Sequence, residues 1–268
     1  MDIGRTFREL HTAPGAFIIP NPWDVGSAKF MASLGFKALA TTSAGHAFSR
    51  GQPDGGISFH DMIIHCREMS AATDLPVSAD LEHGKGDSPE SAEETIFAAE
   101  AAGLAGCSIE DSTGDPDNPI YEFDLAVERV AAAAEATRSL DRDFVFTARA
   151  ENFLHGKTDV VDTIARLQAF ERAGADVVYA PGLREISLVK QVCSSVSCPV
   201  NVLTSPAFSV EQLTAAGASR ISLGSLFSNA VYRFIKDAAA EMLNEGSFTF
   251  ATGAIPHPQL QKLMSDKG

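Results

Sequence analysis

Eight short apolar runs recur along the chain, and most are followed by a segment whose apolar residues return every three to four positions. The runs are Ala16–Ile19 (closed by Pro20), Ala38–Thr42, Pro76–Asp80, Gly106–Asp111, Phe144–Arg149, Asp176–Ala180, Pro199–Leu203 and Arg220–Gly224. Runs of this length bounded by Gly, Pro and Asn read as strands. Their apolar residues run on without alternating, as in parallel strands covered by helices. The helical stretches carry their own start and stop signals. Asp24 caps a stretch with Val25, Ala28, Phe30 and Met31 on its stripe and Gly35 at its end. Ser58 opens one that runs to about Thr73. Ser88-Pro89-Glu90 opens another with a capping serine, a first-turn proline and an acid at the positive dipole end; Gly103 closes it. Further helices run from about Asp124 to Ser139 and from Asp159 to Ala173, with a long one after the last strand. A short lead-in helix precedes everything, and a Gly-rich loop is expected from the second strand through Gly56.

Eight strand–helix units predict an α/β protein, a closed (β/α)8 TIM barrel, as one domain over 1–268. A barrel of this kind takes roughly 250 residues, so the 268 present call for no second domain. No G-x-G-x-x-G follows the first strand, which removes the best support for a dinucleotide fold. The C-terminal segment, about 225–268, carries Phe248, Phe250, Ile255 and Leu260. It is too apolar to float free and is expected to pack on the barrel or on a neighbouring subunit.

Composition narrows the partners. The formal net charge of −14 argues against nucleic acid and anionic membrane surfaces. It leaves an anionic substrate open, because a metal ion inverts the local field. No stretch approaches the roughly 20 apolar residues of a membrane span, and the polar start lacks a signal-peptide core. Cys66, Cys107, Cys193 and Cys198 show no metal-type spacing and read as buried thiols of a cytoplasmic protein.

Barrel enzymes build their sites at the C-terminal strand ends. Those ends carry Thr42 and Ser43, Asp80 and Glu82, Glu110 and Asp111, and Arg149 with Glu151; Asp54 lies in the loop after the second strand. Asp80 and Glu82, two apart, would point to one side of an extended strand. Taken singly, each acid reads as a helix cap or a solvated charge, and Arg149 as an ion pair with Glu151. Taken together on one rim, the acids suit a hard divalent cation and a bound organic anion. His46 and His83 fall in rim loops and read as solvated, His60 and His65 as solvent-facing helix positions. Gly84-Lys85-Gly86, just before a helix start, reads as a bare turn rather than as a phosphate site. No lysine sits at a strand end, which disfavours a Schiff-base aldolase.

Six motifs in order resemble the isocitrate lyase/phosphoenolpyruvate mutase superfamily: Asn21-Pro22-Trp23-Asp24, Phe36-Lys37-Ala38-Leu39, Gln52-Pro53-Asp54-Gly55, Ser78-Ala79-Asp80-Leu81-Glu82, Ser108-Ile109-Glu110-Asp111 and Thr147-Ala148-Arg149-Ala150-Glu151. The likeness runs from about residue 10 to 235. It implies a barrel whose last helix is exchanged between subunits of a homotetramer, a dimer of dimers. It also implies Mg²⁺, with Mn²⁺ as a substitute, bound directly by Asp80 and through water by Asp54, Glu82 and Glu110. The substrate implied is a small 2-oxo or 2-hydroxy acid, its carboxylate held by backbone amides at Thr42, Ser43 and Ala44 and its far end by Arg149. Asn201 on the seventh strand joins the expected substrate contacts; Arg149, Glu110 and Asp54 are the expected catalytic residues.

The chain also departs from the family. The isocitrate and methylisocitrate lyases carry a Lys-Lys/Arg-Cys-Gly-His flap after the Ile-Glu-Asp motif. Here Ser112–Ile120 holds neither cysteine nor lysine, and the flap of the phosphonate enzymes is missing too. Ala40 stands where the family has a pocket-closing aromatic, and Thr42 at its serine position. Cleavage of a C–C bond in a 2-oxo diacid such as oxaloacetate asks least of that loop and is the expected activity. The alternatives are a P–C bond enzyme (phosphonopyruvate hydrolase or mutase), a methylisocitrate lyase-like retro-Claisen or aldol enzyme, and a silent acid-binding member.

Overall fold

In the computed structural model, which describes residues 2–265, all eight expected strands form. Met1 and residues 266–268 of the expected domain lie outside the described residues. The strands are β1 (Phe17–Ile19), β2 (Leu39–Ala40), β3 (Val77–Asp80), β4 (Gly106–Glu110), β5 (Val145–Arg149), β6 (Val177–Tyr179), β7 (Val200–Leu203) and β8 (Arg220–Ser222). Every pairing is parallel, and the order β1-β8-β7-β6-β5-β4-β3-β2 runs round a (β/α)8 barrel. At the remaining seam, β1 to β2, the ring closes through two contacts. The Ala40 amide donates to the Pro20 carbonyl at 3.0 Å, and the Asn21 side chain donates to the Thr41 carbonyl at 2.9 Å. Proline has no N–H to return, so a ladder cannot extend there.

The helices start where their capping residues stand. Asp24, Ser58, Ser88 and Asp159 each accept a first-turn amide, opening α2 (Val25–Ser33), α4 (Phe59–Ala71), α5 (Pro89–Ala101) and α7 (Val160–Ala173). The helix between α5 and α7, α6 (Phe123–Ser139), begins without a side-chain cap. One expectation is corrected. The stretch after β2 is not all loop: Thr42 caps a helix α3 (Ser43–Ser49), its hydroxyl accepting the Gly45 amide at 3.2 Å. Gly45 is required by close approach, because a Cβ there would lie 2.6 Å from Thr42 and 3.0 Å from Trp23.

The N-terminal end of the barrel is plugged by α1 (Ile3–Thr12). Phe7 is fully buried in a cluster with Ile19, Ala38, Ala105, Val145 and Val177. Arg8 reaches across to Asp176 at 2.6 Å, Asp143 at 3.1 Å and the Phe144 carbonyl at 2.6 Å. Two shorter helices, α8 (Ile186–Cys193) and α9 (Val210–Ala215), complete the outer ring. After β8 come α10 (Leu226–Glu245) and α11 (His257–Ser265). Helix α11 returns to α2 of the same chain, where Lys29 donates to the Met264 carbonyl at 3.0 Å. Helix α10 leaves Val231, Phe234, Ile235 and Leu243 exposed, Leu243 to 86%.

Candidate active site

The strand ends bring three of the expected residues into direct contact. Arg149, last residue of β5, donates through Nη1 to Asp80 Oδ1 at 3.2 Å, and the same nitrogen pairs with Glu110 Oε2 at 3.1 Å. Its Nε is hydrogen-bonded to Glu151, and its guanidinium lies 5.3 Å from the centre of the Tyr179 ring. Strand register explains the meeting: Glu110 pairs with Arg149 across β4–β5, and Arg149 with Tyr179 across β5–β6.

Ser43 joins the loop acid to the strand acid. Its hydroxyl donates to Asp54 Oδ1 at 3.2 Å and to Asp80 Oδ2 at 3.1 Å, and its amide to Asp80 Oδ2 at 3.4 Å. Serine was expected only as a backbone anion binder; the bridge through its side chain has no signal in the sequence. Glu82 arrives differently than expected. Strand β3 stops at Asp80, Leu81 turns into the core, and Glu82 adopts φ +52°, the one non-glycine left-handed residue among those described. The two acids therefore share the site through a strained turn and not through strand alternation.

Asp111 leaves the site. Its carboxylate accepts the Glu151 amide at 2.7 Å and pairs with Arg166 at 3.0 Å, fastening β4 to α7. Lys85 is engaged by Glu94 at the surface. His65 is not solvent-facing: it is buried, with its ring stacked on His46 at 3.6 Å between centroids. His46 is half-buried within α3, and burial lowers its affinity for a proton. His83 is half-buried too, and its proton affinity is lowered by burial and by Arg129 nearby. Cys107 is a core thiol, as its place at the start of β4 implied. Cys66 is buried as well, but Cys193 and Cys198 are only partly covered.

Charge at this rim is out of balance. Asp54, Asp80, Glu82, Glu110 and Glu151 crowd around a single guanidinium. Burial pushes the Glu82 carboxyl up to about 7, with Asp80 and Asp54 adding to the effect. Burial raises Glu110 well above its usual range against the pull of Arg149; burial and Asp80 raise Asp54. Among the described residues no three His, Cys, Asp or Glu side chains come close enough to enclose an ion. The donor set is nonetheless all hard oxygen with surplus negative charge. It fits Mg²⁺, which keeps several waters and takes few direct protein ligands.

Inside this rim lies a cavity of about 180 Å³ lined by Thr42, Ser43, Ala44, Asp54, Asp80 and Arg149, and deeper down by Tyr179, Asn201, Ser222 and Arg220. Asn201 is where it was expected, but its amide is engaged: Oδ1 accepts from Arg220 at 2.8 Å and Nδ2 donates to Ser222 at 3.0 Å. Tyr179 and Arg220 were missed. A charged residue opening a buried strand was the available signal. The Ser112–Ile120 loop folds on itself, Thr113 bonding to Pro119 and Asn118, and Asn118 is exposed and absent from the cavity wall.

Comparison with known proteins places this geometry. A sequence model of the phosphoenolpyruvate phosphomutase family matches residues 7–243. A solved structure described as a putative lyase/mutase from Burkholderia cenocepacia J2315 is 49% identical, covers 98% of this chain and 96% of its own, and superposes with a TM-score of 0.96. The 2-methylisocitrate lyase of Escherichia coli is 27% identical over 254 residues, 90% of this chain and 83% of that protein. The oxaloacetate decarboxylase of Pseudomonas fluorescens is 28% identical over 210 residues, 76% of this chain and 71% of that protein.

Proposed function

The chain belongs to the isocitrate lyase/phosphoenolpyruvate mutase superfamily, a set of lyases and mutases, and from that premise we propose that it is a Mg²⁺-dependent lyase cleaving a C–C bond of a small 2-oxo diacid, oxaloacetate decarboxylase-like. The observation that carries the reading is the small polar cavity under an acid rim with one guanidinium, beside a loop that brings it no acid–base side chain. Asp80 would hold the ion directly, and Asp54, Glu82 and Glu110 through its waters. When bound, Mg²⁺ supplies Lewis-acid stabilisation of negative charge developing on substrate oxygen.

The protein's own groups do the rest. Backbone amides at Thr42, Ser43 and Ala44 would receive the substrate carboxylate, the Ser43 amide giving up its long 3.4 Å contact with Asp80 Oδ2. Arg149, partly buried and pinned by Glu110, Glu151 and Asp80, presents a fixed positive charge to the reacting end. Ser43 keeps Asp54 and Asp80 in register with each other. Loss of CO2 from the diacid leaves an electron pair on the carbon next to the 2-oxo group, which delocalises onto that oxygen. No side-chain acid is needed until the product takes up its proton. The uncovered face of α10 supports the expected homotetramer, with a neighbouring subunit packed on Val231, Phe234, Ile235 and Leu243, while α11 stays on its own barrel.

The test is a screen of small 2-oxo and 2-hydroxy diacids and of phosphonopyruvate, with Mg²⁺ or Mn²⁺, read as pyruvate or glyoxylate. Pyruvate from oxaloacetate, abolished by chelator, is expected. Turnover of phosphonopyruvate alone would make this a P–C bond enzyme, and no turnover on any acid would leave a silent binder.

A further inference from the structure

The lumen of a (β/α)8 barrel is ordinarily filled with Val, Ile and Leu. Here a guanidinium stands in it. Arg220, first residue of β8, is 5% exposed and forms no ion pair among the described residues. Its three partners are all neutral acceptors. Nε donates to Asn201 Oδ1 at 2.8 Å, Nη2 to Thr147 Oγ1 at 3.1 Å, and Nη1 meets His11 Nε2 at 3.2 Å. His11 Nδ1 faces the Phe7 carbonyl at 2.8 Å and so carries the ring proton, leaving Nε2 as an acceptor. Burial holds this imidazole neutral, its pKa lowered to about 3. A guanidinium has five N–H groups, so two remain after these three bonds. A buried cation with neutral neighbours and spare donors is costly unless an anion joins it. Arg220 also lines the cavity that holds Asp80 and Arg149.

Resting on the reading of that cavity as the ligand site, we propose that Arg220 is its floor and binds a second carboxylate of the ligand, which makes this protein selective for diacids over the corresponding monoacids. Strand geometry sets the span. Thr147, bonded to Arg220, lies two residues below Arg149 on β5, and a rise of about 3.3 Å per residue puts the anchor point of Arg220 about 7 Å below the strand position of Arg149. A short diacid of about that length can keep one carboxylate at the rim, where Ser43 and Arg149 stand, and place the other on the two spare donors of Arg220. A monoacid of equal length leaves the cation unanswered.

The test is equilibrium binding of two unreactive ligands of equal length, succinate and butyrate, to the full chain with Mg²⁺. Wild-type protein is expected to bind succinate about tenfold to a hundredfold more tightly, the worth of a charge-assisted hydrogen-bonded contact. Arg220→Gln should bring succinate down to the affinity of butyrate and leave butyrate unchanged; Arg220→Lys should recover part of the difference. Equal wild-type affinities overturn the proposal whatever the variants do. So does an Arg220→Gln variant that weakens both ligands alike, the mark of a structural role. Chloride added to the butyrate complex separates a ligand carboxylate from a free inorganic anion. No gain is expected, and a gain lost in Arg220→Gln would overturn the proposal. Since neither ligand turns over, absence of lyase activity would count against the reaction and not against this site.

Discussion

The two ends of the barrel handle charge in opposite ways. At the N-terminal end Arg8 meets two aspartates and a carbonyl, all within 3.1 Å, over a fully buried Phe7. Arg8 there has its counterparts at the surface, and beneath it Phe7 seals the plug of α1. At the C-terminal end three carboxylates, Asp80, Glu110 and Glu151, share Arg149 with Asp54 and Glu82 close by, and the backbone is strained at Glu82. One end is arranged for stability. The other holds repulsion that only a bound cation relieves, which is how a site gains affinity for such an ion at the expense of the empty fold.

The largest effect expected from this contrast is on activity. Asp80→Ala should lower kcat/KM about a thousandfold, the loss that follows removal of a key electrostatic group. Thermal unfolding of the metal-free variant should hold steady or improve, because a repelling carboxylate is gone. Phe7→Ala should do the reverse: about 3–5 kcal/mol of stability lost for a buried phenylalanine, with the kinetics of the remaining folded protein unchanged. If Asp80→Ala also collapses the fold, the contrast between the two ends is broken.

Acidity sharpens it, because the ends respond with opposite signs. Glu82, raised to about 7 from an ordinary 4.5, holds its proton more tightly folded than unfolded. Its contribution is complete below about pH 4.5 and lost as pH rises through 7 in chelator. His11 is lowered from 6.5 to about 3, so the unfolded chain takes up a proton that the fold refuses. The fold is unaffected above pH 6.5 and loses on the order of a few kcal/mol as pH falls towards 3. Melting curves against pH should show Glu82→Gln removing the alkaline loss and His11→Gln the acid loss. Added Mg²⁺ should raise the melting temperature more at pH 8 than at pH 5. The smallest effect is at the balanced end, where Arg8→Ala should cost about 1–2 kcal/mol by denaturant unfolding, since the group is partly solvated.

Much of this was legible from residue order. The strands could be read because continuous apolar runs between Gly and Pro leave few other readings, and Asp80, Glu110 and Arg149 because strand ends converge by construction in a barrel. Most of what escaped had no local mark, and where a mark existed it misled. Helix α3 is hidden in a stretch of small and polar residues and depends on one cap at Thr42. Glu82 was assigned by alternation, which fails once the chain leaves the strand after Asp80. Asp111 sits beside Glu110, yet its Arg166 partner is 55 residues away. His65 is buried because His46, on a different helix, covers it. Arg220 is the sharpest case: an arginine within an apolar run looks like a strand edge, and only closure of the ring puts it inside.

The seam between β1 and β2 has a mechanical consequence. Seven of the eight junctions are zipped by regular ladders, while this one rests on the Ala40 amide and the Asn21 side chain. A cylinder clasped so lightly at one joint has a natural place to breathe. Deuterium should enter at Ala40 ahead of the other strands, and the strand that breathes leads straight to Thr42 and Ser43 at the mouth of the barrel.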